Sequence, residues 1–328
     1  MYRKIMSFLE AWKDSVHRKP LILQGARQVG KTYSILEFGR THYENVAYFN
    51  FETNPKLNET FEENISPDYL IPILSHIAGQ TIVREKTLIV FDEVQLCERA
   101  LTSLKYFCED APDYHIIVAG SLLGVAVNRA KFSFPVGKVD MKTLYPMDME
   151  EFMVACGESA LVEQIKKCFA EDKPLPSALH DAAMQLYRQY LIVGGMPECV
   201  LQFVETKDYI LVRHTQDTIL ASYLNDMSKY NNVNEIKKTR LAYDNITVQL
   251  SKKNTRFQYK LIKKGGRASE FENAIEWLCL SGIVSQVYKV EQIKKPLENY
   301  RDIDAFKIYV SDLGLLCAKK DLAANDVL

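Results

Sequence analysis

The sequence predicts a three-layer α/β domain with a mainly parallel sheet, followed by two smaller parts that are largely helical. Three short apolar runs carry this prediction, at residues 21–23, 88–91 and 115–119. Polar residues suited to a ligand site follow each run, and patterns typical of helices lie between them. This alternation is expected of parallel strands that are joined by crossover helices.

The first apolar run leads into residues 25–32, which read GARQVGKT and match G-x-x-x-x-G-K-S/T without exception. The residues that follow place Ile35, Leu36 and Phe38 at helical spacing, so the order is strand, glycine loop, helix. Glycines let backbone N–H groups turn toward phosphate oxygens, and a helix start adds a favourable dipole. The pattern predicts ATP binding by Gly25, Ala26, Arg27, Gln28, Val29, Gly30, Lys31, Thr32 and Tyr33.

The second apolar run belongs to residues 87–95, TLIVFDEVQ, a buried strand that ends in two carboxylates. Ligand sites in open α/β sheets lie at such strand ends. We expect Asp92 and Thr32 to hold Mg²⁺, and Lys31 to contact the β and γ phosphates. Glu93 would polarise the attacking water. An alternative for Glu93 stays open, in which it caps the following helix or pairs with a surface base.

The third run, HIIVAGS, covers residues 115–121 and ends at Ser121. In ATPases with an extra strand between the loop strand and the carboxylate strand, a polar residue here senses the γ-phosphate. Ser121 fits this catalytic role beside Glu93 and Lys31, although a serine in an ordinary turn is an equal alternative. Further strands are predicted at 46–51 and 136–144, giving a five-stranded, mainly parallel sheet.

Composition sets outer limits on function. The chain has 328 residues, 47% of them hydrophobic, and a formal net charge of −1, so any nucleic-acid surface would have to be local. The seven cysteines include no CxxC pair and are expected to be reduced thiols in a cytoplasmic protein. The first residues mix charged and apolar side chains, unlike a signal peptide, and no apolar run is long enough for a membrane span. We therefore expect no membrane partner.

In this order, GARQVGKT, LIVFDEVQ, IIVAGS and LYPMDMEEF resemble the AAA-like P-loop ATPases of the AAA_14/DUF4143 type, which carry a C-terminal domain of unknown function. The segments YLIVGGMPECV, AIEWLCLSGIVSQVYKV and FKIYVSDLGLL extend the resemblance over nearly the whole chain. The resemblance implies an α/β P-loop NTPase that binds ATP and Mg²⁺, with Glu93 as the catalytic carboxylate. The implied ligand contacts are Gly25, Gly30, Lys31, Thr32 and Asp92.

The chain departs from this family at two points. Members commonly have a Gly-Arg pair where this chain has Gly137-Lys138, and lysine supplies charge without the planar fork of arginine. We therefore expect slow hydrolysis, or an arginine from a neighbour in a homo-oligomer; Arg129 and Lys138 are weak candidates within the chain. Relatives also continue into a nuclease-like fold, so residues 296–328 are expected to be the start of a truncated or short C-terminal region.

The first part, residues 1–145, is the predicted ATPase domain, and residues 146–232 are predicted to form a helical lid beside the nucleotide. Asp148 and Glu151 form the pattern of a capping box. A breaker-rich segment at 173–177 and the sequence GGMPE at 194–198 divide the helices. The alternative is a helical spacer without effect on ATP.

Residues 233–295 are predicted to form a winged-helix domain. Ser269 and Glu272 suggest a capping box before an amphipathic helix, a strand follows, and a wing is expected near EQIKKPLEN. DNA is one expected partner, and the basic residues that could contact phosphates are Lys252, Lys253, Lys263, Lys264, Arg267, Lys294 and Lys295. The predicted recognition helix is acidic, which favours the alternative of protein contacts.

The leading functional hypothesis is an ATP-hydrolysing molecular switch. A nucleotide-gated DNA-binding or protein-interaction module with little turnover is the main alternative. Two others stay open: a phosphotransferase acting on a small molecule, and a scaffold whose ATP site is structural. The acidic pair at 92–93 favours water as the nucleophile over an organic acceptor.

Overall fold

The computed structural model describes residues 1–120, 135–229, 233–253 and 256–328. Contacts divide the chain into two compact units. The first is Arg3–Tyr145, and the second is Pro146–Leu328 together with Met1–Tyr2. No helix within the described ranges is both long and apolar enough to cross a membrane.

The first unit is built on a five-stranded sheet. Its strands are β1 (Leu21–Gln24), β2 (Asn45–Asn50), β3 (Thr87–Asp92), β4 (His115–Ala119) and β5 (Asp140–Thr143). The order across the sheet is β2-β3-β4-β1-β5, and all neighbouring pairs are parallel. The predicted five-stranded parallel sheet is therefore confirmed. β4 lies between β1 and β3, as the prediction for Ser121 required, but Ser121 itself lies outside the described residues.

Helices cover this sheet and fix the ends of its strands. They are α1 (Ile5–Lys13), α2 (Lys31–His42), α3 (Lys56–Glu63), α4 (Pro67–Ala78) and α5 (Glu98–Asp110). β3 and β4 are buried along their whole length, as expected of strands covered on both faces. The Phe91 ring packs edge to face with Phe51 and Phe61, whose own rings are tilted, and all three centroid distances are 5.5–5.8 Å. This packing holds the carboxyl end of β3 in place.

The second unit is mainly helical and contains one antiparallel pair of strands, β6 (Val284–Val290) and β7 (Arg301–Val310). Its helices are α6 (Met149–Ala155), α7 (Ser159–Ala170), α8 (Ser177–Val193), α9 (Pro197–Thr206), α10 (Tyr209–Lys229), α11 (Val233–Leu250), α12 (Ala268–Leu280) and α13 (Leu313–Lys319).

One of the two predicted capping boxes forms. At the start of α6 the Glu151 N–H donates to Asp148 Oδ1 at 2.9 Å, and the Asp148 N–H donates to Glu151 Oε2 at 3.1 Å. The predicted box at Ser269 and Glu272 is wrong, because α12 begins at Ala268 and places Ser269 inside its first turn. Arg267 takes the N-cap position, with no side-chain capping bond.

The buried carboxylate of Asp312 joins two segments that are far apart in the sequence. It accepts hydrogen bonds from the N–H of Gly195 at 2.6 Å and from that of Leu315 at 2.9 Å. A Cβ on Gly195 would lie 1.9 Å from the carbonyl oxygen of Met147, so only glycine fits there. The sequence patterns GGMPE and SDLGLL therefore meet in a close-packed contact within the second unit.

The stability of the second unit should fall as Asp312 becomes ionised. Burial raises the pKa of Asp312 to about 6, against about 3.9 in an unfolded chain. Since the folded pKa is the higher one, the free energy of unfolding is greatest below about pH 4 and decreases until about pH 6. The difference of about two units corresponds to about 3 kcal/mol. We expect Asp312→Asn to remove this slope.

Urea unfolding between about pH 4.5 and 7.5 tests this expectation. A Trp12→Phe background leaves Trp277, in the second unit, as the only tryptophan of the two in the chain. Asp217→Asn, an exposed aspartate on α10, is the matched control and should keep the wild-type slope. Parallel pH curves for the wild type and Asp312→Asn would contradict the assignment.

Candidate nucleotide site

The glycine loop leaves β1 and enters α2 through three residues with positive φ. These are Gly25 at 147°, Gln28 at 65° and Gly30 at 89°. A Cβ on Gly25 would lie 2.1 Å from the carbonyl oxygen of Leu144, so the strand beside β1 requires glycine here. Gln28 is the exception, because residues other than glycine seldom adopt this conformation. The loop is thus shaped by its own sequence and by the neighbouring strand.

Arg3 supports this loop from outside the motif. Its Nη1 donates to the carbonyl of Val29 at 2.9 Å and its Nη2 donates to the carbonyl of Tyr145 at 2.7 Å. The side chain is buried, and each of the two bonds fixes a different segment of the first unit. Arg3 has no role that its sequence context predicts, because nothing in the local pattern links residue 3 to residue 29.

Lys31 is folded back onto its own loop. Its Nζ donates to the carbonyl oxygens of Gly25 at 2.9 Å and Ala26 at 2.8 Å. Burial lowers the pKa of Lys31 to about 8, although the nearby carboxylates of Glu93 and Asp92 act in the opposite direction. An anion in the loop would therefore compete with these two carbonyl oxygens for the ammonium group of Lys31.

Asp92 ends β3 and is the meeting point of three donors. Its Oδ2 accepts from Thr32 Oγ1 at 2.8 Å and from the Tyr48 hydroxyl at 2.8 Å. Its Oδ1 accepts from the N–H of Glu93 at 3.0 Å. The structure thus brings Thr32 and Asp92 together, as the sequence analysis predicted.

These two residues fit a magnesium ion. A hydroxyl and a carboxylate at hydrogen-bond distance are oxygen ligands of the kind that Mg²⁺ prefers, and Mg²⁺ usually takes its remaining ligands from water and substrate phosphates. Within the described ranges, no group of three or more His, Cys, Asp or Glu side chains could hold a metal by itself. Thr32 and Asp92 would supply two ligands and leave the other positions of the ion to water and phosphate oxygens.

Glu93 lies next to this contact in a left-handed conformation, with φ 52° and ψ 37°. Burial raises the pKa of its carboxyl group, which accepts a hydrogen bond from Gln95 Nε2. Glu93 precedes a 3-10 helix and makes no side-chain capping bond there, and the N-cap of α5 is Cys97. Among the described residues Glu93 forms no ion pair with a base.

Tyr48 and Gln95 are further site residues that sequence reasoning missed. Tyr48 lies on β2, which pairs with β3 in a register that places Asn50 beside Asp92. The Tyr48 hydroxyl also accepts from Asn50 Nδ2 at 3.2 Å, and burial raises the pKa of Tyr48 to about 12. The sequence shows a tyrosine near the end of a predicted strand. It does not show that this strand lies beside β3, which is what brings Tyr48 to Asp92.

Of the three other residues that the sequence analysis named, only Lys138 lies within the described ranges. Ser121 and Arg129 lie outside the described residues. Lys138 precedes β5, whose first residue pairs with Leu21 at the amino end of β1, and it forms an ion pair with Glu109 at 2.8 Å. The glycine loop follows the carboxyl end of β1, so Lys138 lies at the opposite end of the strands. It therefore cannot supply the catalytic positive charge within one molecule.

Comparisons with known families agree with this architecture. Residues 17–153 match the family model described as an AAA domain, and residues 184–326 match a domain of unknown function, DUF8612. The chain therefore carries an AAA domain, with the α/β fold of a P-loop NTPase, followed by a domain of unknown function. A DUF4143-type region and a nuclease-like part remain predictions.

Solved structures are similar at low identity. Aeropyrum pernix ORC2, in ADPNP-ADP complexes, is 12% identical with a TM-score of 0.46, covering 98% of this chain and 94% of its own. Aeropyrum pernix ORC1, in complex with DNA, is 13% identical with a TM-score of 0.35, covering 98% and 91%. C. elegans PCH-2 is 13% identical with a TM-score of 0.30, covering 53% of this chain and 49% of its own, so the chain spans about half of PCH-2. No inference about function follows at these scores, and no curated protein matches significantly.

We expect Tyr48→Phe to weaken magnesium binding at Asp92. The change removes one of the donors to Asp92 Oδ2 and leaves the aromatic ring in place. Loss of a partner that orients a metal ligand typically lowers metal affinity about 10-fold or more. The measurement is the Mg²⁺ concentration that gives half-maximal binding of a fluorescent ATP analogue.

Tyr69→Phe is the matched control, because it removes a tyrosine-to-carboxylate hydrogen bond with Glu63 on the surface. It should leave the Mg²⁺ requirement unchanged. An unchanged requirement in Tyr48→Phe as well would show that Tyr48 does not orient Asp92.

Proposed function

We propose that the first unit binds ATP with Mg²⁺ and hydrolyses it. The observation that carries this proposal is the contact of Thr32 Oγ1 with Asp92 Oδ2 at 2.8 Å, at the end of a complete glycine loop. It joins the two halves of a phosphate and metal site from two strands, β1 and β3, whose carboxyl ends lie at the same end of the sheet. The AAA family match over residues 17–153 supports the same function.

Each residue has a distinct role in this proposal. The backbone of residues 25–30 would surround the phosphates, and Lys31 would exchange its two carbonyl partners for phosphate oxygens. Thr32 and Asp92 would hold the ion, which when bound neutralises charge on the phosphates. Glu93 would orient a water and accept its proton, a role that suits a carboxyl group whose pKa burial has raised. Gln95 would position Glu93 through their hydrogen bond.

The wider proposal is a nucleotide-dependent switch. Residues 146–232 would act as a lid that responds to the γ-phosphate, and residues 233–295 would form a winged helix to which β7 adds a strand. In support of the latter, the Phe257 N–H donates to the carbonyl of Phe306 at 2.8 Å, which adds a short third segment beside β7. With Lys138 at the far end of the strands, an arginine from a second copy in a homo-oligomer would complete the site.

DNA binding is a second candidate function for the winged-helix part. The observation that favours it is the exposure of its basic side chains: Lys252, Lys253, Lys263, Lys264, Arg267, Lys294 and Lys295. If they contact phosphates, the DNA affinity should fall steeply with salt, with a slope that decreases as lysines are removed. A weak dependence on salt would exclude this candidate.

ATP binding should take up protons near pH 8. Burial lowers the pKa of Lys31 to about 8, so about half of the molecules hold a neutral amine at that pH. Phosphates placed beside the amine favour its charged form, so binding should take up about half a proton. The uptake is measured by titration calorimetry at pH 8 in buffers of different ionisation enthalpy. Lys31→Arg, which stays charged, should bind without uptake, and equal uptake in both proteins would refute the assignment.

Hydrolysis should depend on Glu93 more than nucleotide binding does. We expect Glu93→Gln to keep ATP affinity and to reduce Mg²⁺-dependent phosphate release by about 100-fold or more, because the proton acceptor is lost. Lys31→Ala should lose both binding and release.

Glu59→Gln and Lys56→Ala change exposed residues on α3 and should behave as the wild type in both assays. Phosphate release that is equal in the wild type and in Glu93→Gln would remove Glu93 from the mechanism. ATP binding without release by the wild type would instead favour a binding module with little turnover.

A further inference from the structure

The second unit contains a cavity that the proposed ATPase does not use. It has a volume of about 850 Å³ and lies between α12, the segment 256–260 and the β6–β7 hairpin. This volume is within the usual range for ligand-binding cavities. Aromatic, acidic and basic side chains line it.

The floor of the cavity is aromatic. Phe257 and Phe306 stack with centroids 5.6 Å apart, and Tyr259 and Tyr288 pack around them at 5.5 Å and 5.7 Å. All four rings line the cavity. Such a floor offers faces on which a planar or apolar group can lie.

The wall formed by residues 256–260 is held in place from two sides. The Phe257 N–H is bonded to Phe306 of β7, as described above. On the other side, buried Gln249 of α11 accepts from the Gln258 N–H at 2.7 Å and donates to the Gln258 carbonyl at 3.2 Å. The cavity is therefore formed before any ligand binds, which lowers the entropic cost of binding.

The rim on α12 carries two carboxylates without a cation. Glu272 and Glu276 are exposed, lie one helical turn apart and line the cavity. Neither forms an ion pair among the described residues, whereas Glu270 on the same helix pairs with Lys263 at 3.2 Å. Two basic side chains also line the cavity, Lys260 from the 256–260 wall and Arg267 at the N-cap of α12. The cavity thus carries both signs of charge.

We propose that this cavity binds a short extended segment of a partner protein, with an arginine held by Glu272 and Glu276 over the aromatic floor and a carboxylate facing Lys260 and Arg267. A guanidinium group can bond to carboxylates through two N–H groups and stack on aromatic rings at the same time. The acidic and basic side chains that line the cavity match a segment that carries both signs of charge.

The same charges disfavour a nucleic acid in this cavity. A phosphate backbone placed along α12 would face Glu272 and Glu276, and Asp304 lines the cavity as well. Like charges at an interface reduce affinity, and DNA binding needs cations along the contact. The proposal goes beyond the ATPase function and needs no nucleotide.

Selection from a phage-displayed library of random heptapeptides on the immobilised full chain tests the proposal. We expect the selected peptides to be enriched in arginine relative to the starting library. The enrichment should be lost on the double variant Glu272→Gln/Glu276→Gln. It should persist on the matched control Glu291→Gln/Glu298→Gln, which removes the same charge from exposed positions outside the cavity.

The binding of one selected peptide is then measured by fluorescence anisotropy. Replacing its arginine with citrulline, which has the same shape without the charge, should weaken binding about 10-fold or more. Lys31→Ala should bind the peptide as the wild type does, which separates this result from any failure of the ATPase proposal. Unchanged melting curves of the double variant show that it is folded.

Three results would overturn the proposal. The first is no enrichment of arginine on the wild type. The second is equal enrichment on the double variant. The third is a DNA duplex that displaces the peptide and binds more tightly once Glu272 and Glu276 are neutralised, because the cavity would then belong to a nucleic-acid surface.

Discussion

The first unit depends on one buried charge, the carboxylate of Asp92. A charge at the buried end of a strand is costly unless hydrogen-bond donors surround it. The donors come from different elements: Thr32 from α2, Tyr48 from β2 and the backbone of Glu93. Because β4 lies between β1 and β3, the start of α2 has to reach across one strand to supply its donor. The need to satisfy Asp92 therefore fixes the glycine loop relative to the strand that carries Glu93.

The parts of this site that could be predicted from the sequence are those with a local pattern. The glycine loop, the apolar strand before Asp92 and the five strands of the sheet each follow from residues that are close in the sequence. Arg3 and Tyr48 could not be predicted, because their partners lie 26 and 44 residues away. Lys138 is the opposite case, a residue that was predicted near the site and lies away from it. Its charge suggested a catalytic role, but strand direction places it at the wrong end of the strands.

The capping patterns show how a local rule depends on where a helix begins. At Asp148 the pattern coincides with the start of α6, and both bonds of the box form. At Ser269 the helix has already begun, so the serine cannot cap it and the side chain of Glu272 is not recruited to the helix start. A turn lies just before α12, in which the Gly266 N–H donates to the Lys263 carbonyl at 2.8 Å. The chain leaves this turn directly into the helix, which therefore begins before Ser269. As a result, Glu272 remains exposed on the rim of the aromatic cavity.

Asp92 and Asp312 are both buried carboxylates within recognisable sequence patterns, and their donors distinguish a site from a structural contact. One donor to Asp92, the Thr32 hydroxyl, can rotate so that both groups face an ion, while the Tyr48 hydroxyl keeps the carboxylate oriented. The donors to Asp312 are backbone N–H groups of Gly195 and Leu315, which cannot leave without moving the chain. The first arrangement can exchange partners at small cost, whereas the second can only hold two segments together. A buried acid within a recognisable sequence pattern therefore indicates a ligand site only where at least one of its hydrogen-bond donors is free to turn away.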